Sequence, residues 1–258
     1  MGPAAMPLAT GPGAGPIDPV RSRAFLEVTT LWDFPFQSAL PGRFGEPTFH
    51  GVTPSGVAWN LLARYTKPGD LVVDAMCGSS TTLDVANVLG RRALGFDITP
   101  RRTDVVRADA RSLPLPDRCA DLCFVDPPYS DNVHYSDDPR CIGRISCRDD
   151  RFYDALERVA REVARVLRPG GVAAWLISDG YKDRSFTPVG FRLFAILSKY
   201  FLPVDIVCVA RRNDRSMSPM WEHRARRYGF FLRGFKYLFI LRTAEPSLRE
   251  GHDGVDRP

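Results

Sequence analysis

Four residues in mid-chain, Asp126-Pro127-Pro128-Tyr129, put a carboxylate, two rigid residues without N–H groups and an aromatic ring into one turn. The apolar run Asp121 to Val125 before them reads as a buried strand, so the turn falls where open α/β sheets place their chemistry. Proline fixes φ at about −65° and removes a donor, which leaves the carbonyls here as outward-pointing acceptors. Such acceptors can take both hydrogens of an NH₂ group on a planar heterocycle while Tyr129 stacks on the ring face. An ordinary turn after a strand would carry the same residues without that chemistry, and the upstream sequence has to decide between the two.

Upstream, Leu71-Val72-Val73 is a short apolar strand, and Asp74 to Thr82 is a small-residue turn leading into a helix over Leu83 to Leu89. A strand, a glycine-containing loop and a helix let a ligand approach the backbone closely and present free N–H groups to it. Ala93 to Phe96 reads as the next strand and ends in Asp97, some 20 residues on, where a carboxylate can accept from both hydroxyls of a ribose. A third strand, Asp104 to Arg107, precedes Asp109-Ala110-Arg111, where another carboxylate can receive an exocyclic adenine amine. A phosphate cradle competes with this reading, but neither Gly-Lys-Ser/Thr nor Gly-x-Gly-x-x-Gly occurs here. A ligand with a ribose and an adenine but no phosphate fits better.

The order Thr53-Pro54, Asp74 to Thr82, Asp97, Asp109 and Asp126 to Tyr129 resembles the S-adenosylmethionine-dependent amino-methyltransferases that modify bases in nucleic acids, over roughly residues 50 to 242. The resemblance implies a Rossmann-like, seven-stranded, mostly parallel sheet with an antiparallel last strand, the class I methyltransferase fold. It implies Asp74, the Cys77-Gly78-Ser79 backbone and Thr81 near the methionine part of the cofactor, with Thr53 and Pro54 also on the cofactor. It further implies Asp97 on the ribose, Asp109 and Ala110 near the adenine, and Asp126 with the Pro127 carbonyl on the target amine, flanked by Pro128 and Tyr129. The chain departs from the family's pattern in two places: Ala75-Met76 stands for the usual Pro-Phe, and Ser80 for the last glycine of Gly-x-Gly. Cys77 has no acid or base paired with it and is not read as a nucleophile.

The elements that must hold these residues follow from periodicity. Pro54 opens a helix over Ser55 to Tyr65. The long polar stretch Ser130 to Arg151 reads as a lid or substrate loop. A helix over Phe152 to Leu167 carries Ala155, Val159 and Val163 on one stripe, Val172 to Ser178 is a buried strand, and Phe191 to Phe201 is another helix. Val204 to Ala210 and Phe235 to Leu241 pair antiparallel at a sheet end.

With 258 residues, 44% of them hydrophobic, the chain suits one methyltransferase domain over 23–242, a flexible Pro/Gly/Ala-rich tail over 1–22 and a polar tail over 243–258. The aromatic, irregular stretch from Glu27 through Phe34 to Gly45 reads as a loop that packs over something. The chain's net charge of +5 is concentrated in the connection 211–236, where eight Lys or Arg face two Asp or Glu. Arg224, Arg226, Arg227 and the interleaved Trp221 are candidates to hold a phosphate backbone and stack bases, against the alternative of a solvated surface loop. The six cysteines miss zinc spacings, and metal is not expected. No signal-like segment and no apolar run of about 18 residues occurs, so a soluble cytoplasmic protein is expected. DNA is the favoured partner and RNA the rival, since no large separate recognition domain is apparent; a small-molecule methyltransferase or an inactive cofactor-binding subunit is the reading from another class.

Overall fold

The computed structural model describes residues 26–34, 44–46, 52–131, 133–211 and 218–245. The expected N-terminal tail, and all but the first three residues of the expected C-terminal one, lie outside the described residues.

The chain forms β1 (Leu31–Trp32), α1 (Ser55–Tyr65), β2 (Leu71–Asp74), α2 (Thr81–Val88), β3 (Arg92–Asp97), β4 (Val105–Arg107) and β5 (Ala120–Val125). A 3₁₀ turn at Ile142–Arg144 interrupts the polar stretch, and α3 (Asp150–Val166), β6 (Leu167–Ile177), the hairpin β7 (Gly180–Lys182) and β8 (Ser185–Thr187), and α4 (Val189–Leu197) follow. The chain then makes β9 (Leu202–Ala210), α5 (Pro219–Tyr228) and β10 (Phe235–Arg242). The main sheet runs β1-β9-β10-β6-β5-β2-β3-β4, and β10 alone is antiparallel to its neighbours.

The sheet therefore has eight strands, not seven. The extra one, β1, lies in a stretch expected as irregular loop: two residues are too few to show a period, but Leu31 and Trp32 pair parallel with Cys208 and Val209, and the Trp32 side chain is buried. Only that end of β9 is covered. Along the rest of its outer flank no strand is seated among the described residues, and Leu202, Val204 and Ile206 are 50%, 43% and 42% exposed.

Helices cover both sheet faces. On one, α1 and α2 bury Trp59, Leu62 and Leu83 against Val72, Leu122 and Leu176. On the other, α3 and α4 bury Phe152, Leu156, Val159 and Leu193 against Val73, Cys123 and Trp175. The α3 stripe recurs every three or four residues, and Asp149 caps its N-terminus by accepting from the Arg151 N–H at 2.9 Å. β6 begins five residues before the expected Val172: Leu167 already pairs with Ala120, and the strand kinks at Gly170, whose φ of 73° suits glycine, before resuming at Val172. The short hairpin β7–β8 and helix α5, the latter inside the expected open connection, were not foreseen; α5 buries none of its residues.

Candidate active site

The parallel strands β2, β3 and β5 end side by side, and beyond their C-terminal ends lies a cavity of about 1100 Å³. Every residue expected on the cofactor or the target amine lines it, as does Trp221; Arg224, Arg226 and Arg227 do not.

The β2–α2 turn is built by close approaches. The Cys77 N–H donates to the Phe96 carbonyl at 2.9 Å and the Ser80 N–H to the Cys77 carbonyl at 2.7 Å. Ser80, where the family has glycine, sits at φ 65°, a left-handed conformation that L side chains adopt at a cost of roughly 1–2 kcal/mol. Cys77 is buried, which pushes its thiol well above the usual range, and it packs where a side chain at Gly95 would meet its Sγ at 2.6 Å. A structural thiol, not a nucleophile, results. From outside, Gly45 and Glu46 clamp the turn: the Glu46 N–H donates to the Ser79 carbonyl at 2.8 Å, and the Gly45 N–H to Asp84 at 2.8 Å. This part of the aromatic N-terminal stretch does pack over something, namely the turn itself.

Five carboxylates line the cavity: Asp179 is held by the Gly190 N–H at 2.9 Å and the Tyr237 hydroxyl at 3.1 Å, and the four expected from the sequence stand in different states. Asp74, at the end of β2, is fully buried; burial, opposed by hydrogen bonds from Thr82 and the Met76 N–H, pushes its carboxyl up to about 7, with Asp126 and Asp97 adding to the rise. Asp97, at the end of β3, accepts from the Gly78 N–H at 2.9 Å and the Thr99 N–H at 2.8 Å; burial raises it while these bonds hold it back. The Asp97 bonds thus tie the end of β3 to the β2–α2 turn. Asp109 reaches the cavity already forked by Arg111, Nε to Oδ1 at 2.8 Å and Nη2 to Oδ2 at 2.6 Å; burial pushes it up, and the guanidinium more than offsets that. Asp126 is held from both sides: the Tyr129 hydroxyl donates to Oδ1 at 2.7 Å, and the Thr53 hydroxyl donates to Oδ2 at 2.5 Å. Thr53, expected on the cofactor, therefore bonds to the target-side acid. Each Asp126 oxygen keeps a second lone pair for an incoming N–H.

Lys236 escaped the sequence reading. It is the second residue of β10, and its ammonium lies 5.1 Å from the centroid of the Tyr129 ring. Burial lowers its pKa against the pull of Asp126, and Arg211 lowers it further. A lysine inside an apolar strand, Phe235-Lys236-Tyr237-Leu238, was the available signal. Arg224 and Arg227 lie over the rings of Trp221 and Tyr228 on α5, and Arg226 pairs with Glu222 at 2.5 Å. Among the described residues no group of three or more His, Cys, Asp or Glu side chains is arranged to hold a metal.

Residues 19–107 match the family model described as DNA methylase. The match covers the cofactor turn and the Asp97 strand and ends before the tetrapeptide. Among solved structures, the chain is similar to the [4+2]-cyclase SpnF at 15% identity and a TM-score of 0.50, covering 80% of this chain and 89% of that one. It is also similar to TrmN from Thermus thermophilus at 18% identity and 0.49, covering 75% of this chain and 50% of that one. A geranyl diphosphate methyltransferase in complex with SAM matches at 16% and 0.49, covering 78% and 93%. At its identity the likeness to SpnF speaks for the fold alone, which hosts unrelated reactions.

The donor set of the cavity fits S-adenosylmethionine, the cofactor expected from the sequence. Acids at Asp74 and Asp97 suit a ligand with a cationic sulfonium and ammonium and with ribose hydroxyls, whereas they would repel phosphates. Asp97 still offers a second lone pair on each oxygen toward hydroxyl donors, and Asp74 can ionise beside a cation.

Proposed function

We propose that the protein transfers a methyl group from S-adenosylmethionine to the exocyclic amino nitrogen of a nucleic acid base, adenine N6 or cytosine N4 in DNA. The observation that carries this reading is Asp126, fixed between the Thr53 and Tyr129 hydroxyls at the end of β5, within the same cavity as the cofactor acids. When bound, the cofactor supplies an electrophilic methyl on sulfur. The chain's own residues prepare the nitrogen. Its lone pair is delocalised into the ring, and bonds from its two N–H groups to Asp126 and the Pro127 carbonyl favour a more tetrahedral nitrogen while the carboxylate stabilises the charge that builds there. Thr53 and Tyr129 hold the carboxylate so that it need not reorganise. A base within a duplex has to leave the stack to reach this depth, where the Tyr129 ring offers it a face. The basic stretch 211–236 supports a polyanionic partner, and a place in the cytoplasm goes with it. Among the described residues no helix is long and apolar enough to cross a membrane.

The test is incubation of purified protein and labelled S-adenosylmethionine with DNA and, separately, RNA from cells lacking the gene, followed by mass analysis of nucleosides. Label in N6-methyladenine or N4-methylcytosine from DNA is expected, abolished in Asp126→Ala, which should still bind the cofactor. Label only in the RNA digest would move the substrate to RNA. Label in neither would overturn the reading.

A further inference from the structure

At the mouth of the cavity the hairpin β7–β8 and the segment between α5 and β10 build a column of rings and guanidinium. Tyr181 of β7 stacks on Phe230 with centroids 5.6 Å apart and planes 18° from parallel. The Arg233 guanidinium lies 5.7 Å from the Tyr181 ring and 5.3 Å from that of Phe186 on β8. The same guanidinium donates to the Phe231 carbonyl at 2.9 Å, and its buried Nε has no hydrogen-bond partner among the described residues. Phe231, next to this column, is 84% exposed while lining the cavity, and Phe186 is 50% exposed. Two glycines flank the tetrad Phe230-Phe231-Leu232-Arg233. Gly229 ends α5 at φ 66°, and neither it nor Gly234 has an atom within 4 Å of where a side chain would begin.

A phenylalanine this exposed beside a deep cavity, next to a stacked neighbour, offers a stacking position. The surrounding charge says what fills it. Arg233 stands in this segment and Arg224 and Arg227 on the preceding helix α5, while Lys182 and Arg184 flank Asp183 on the hairpin, Lys182 paired with Asp131 at 3.1 Å. An aromatic face among cations suits an unpaired base on a phosphate backbone, because every base has a stacking face and each phosphate answers a cation. A fully paired neighbour would keep its faces covered within the duplex.

The geometry points to Phe231 as the stacking platform for the unpaired base that neighbours the target nucleotide, with the Phe230–Tyr181–Arg233–Phe186 column as its support, so that the substrate is engaged as a single strand. This rests on the nucleic-acid reading above and names the form in which that substrate is taken.

The experiment uses the whole protein with S-adenosylmethionine present and dye-labelled probes of one mixed sequence, about 16 nucleotides long to span a single-strand site: single-stranded DNA, the same strand fully paired, and the same sequence as single-stranded RNA. Anisotropy gives affinities, and a second probe set carries 2-aminopurine, whose fluorescence falls on stacking. The wild type should bind single strands more tightly than the duplex and quench 2-aminopurine. Phe231→Ala should weaken single-strand binding roughly ten- to a hundred-fold and abolish the quench, with duplex binding unchanged and Phe231→Trp restoring both effects. Calorimetric cofactor affinity, equal in all variants, shows that the fold survives. Single-strand affinity in Phe231→Ala equal to wild type overturns the platform alone. A wild-type protein that takes up cofactor but binds no probe sinks the nucleic-acid reading and the platform with it. The two single-stranded probes show whether DNA or RNA supplies the base.

Discussion

Replacing Asp74 by Asn should remove a pH dependence of folding that the buried carboxyl imposes. In the folded chain burial holds this proton up to about pH 7, while its ordinary value is 3.8. At low pH both folded and unfolded states carry the proton. As pH rises between the two values only the folded state keeps it, so the unfolded chain gains by ionising and stability falls; above about 7 both states are ionised and the loss is complete. At about 1.36 kcal/mol per pH unit, the gap amounts to on the order of 4 kcal/mol. An Asn at this position can still accept from the Met76 N–H and from Thr82, so the variant should fold. Urea titrations of both proteins at half-unit steps from about pH 4.5 to about pH 8.5, a window that brackets the folded-state value, provide the measurement. The difference in unfolding free energy between Asp74→Asn and wild type should grow in favour of the variant with rising pH, and the other titrating groups cancel in that difference. Parallel curves would refute the burial argument. The same carboxyl makes cofactor uptake proton-linked: a cation beside Asp74 favours the ionised form, so binding at about pH 6.5 should release a proton, seen as different calorimetric heats in buffers of different ionisation enthalpy.

Asp97→Ala should weaken cofactor affinity by about 2–4 kcal/mol, because the ribose hydroxyls lose their acceptor and the Gly78 N–H is freed; unchanged calorimetric affinity would remove Asp97 from the ribose. Gly95→Ala should destabilise the fold by roughly 1–3 kcal/mol, because the new methyl meets Cys77 at 2.6 Å and Leu83 at 2.8 Å; an unchanged thermal midpoint would show that the turn can give way. Replacing Arg224, Arg226 and Arg227 together by Ala should leave the fold intact, since α5 buries nothing, and should flatten the salt dependence of duplex binding by about 0.9 in log–log slope for each phosphate no longer neutralised. Identical slopes would reduce that helix to a solvated surface.

The strand ends were readable because an acid after an apolar run marks where a buried strand meets the cavity; Asp74, Asp97 and Asp126 all follow that rule and all line the cavity. What was not readable was pairing at long range. The Thr53–Asp126 bond joins residues 73 apart, and nothing in a threonine before a proline tells which acid it will meet. Tyr181 and Phe230 likewise come together only because the hairpin folds over the cavity. Helix α5 was obscured by four charged residues and a histidine in a stretch whose amphipathic signal has no core to face. The two-residue β1 owes its existence to the flank of β9 that it covers.

That flank has a consequence for how the protein behaves in concentrated solution. The outer flank of the first half of β9 meets no strand among the described residues and carries Leu202, Val204 and Ile206, the combination that lets one sheet extend into another molecule's. Two residues stand against it: Pro203 has no N–H to give an incoming strand, and Asp205 places a charge between the apolar side chains. They act as gatekeepers, and in a Pro203→Val, Asp205→Val double variant light scattering should climb with concentration more steeply than in the wild type while cofactor affinity stays unchanged.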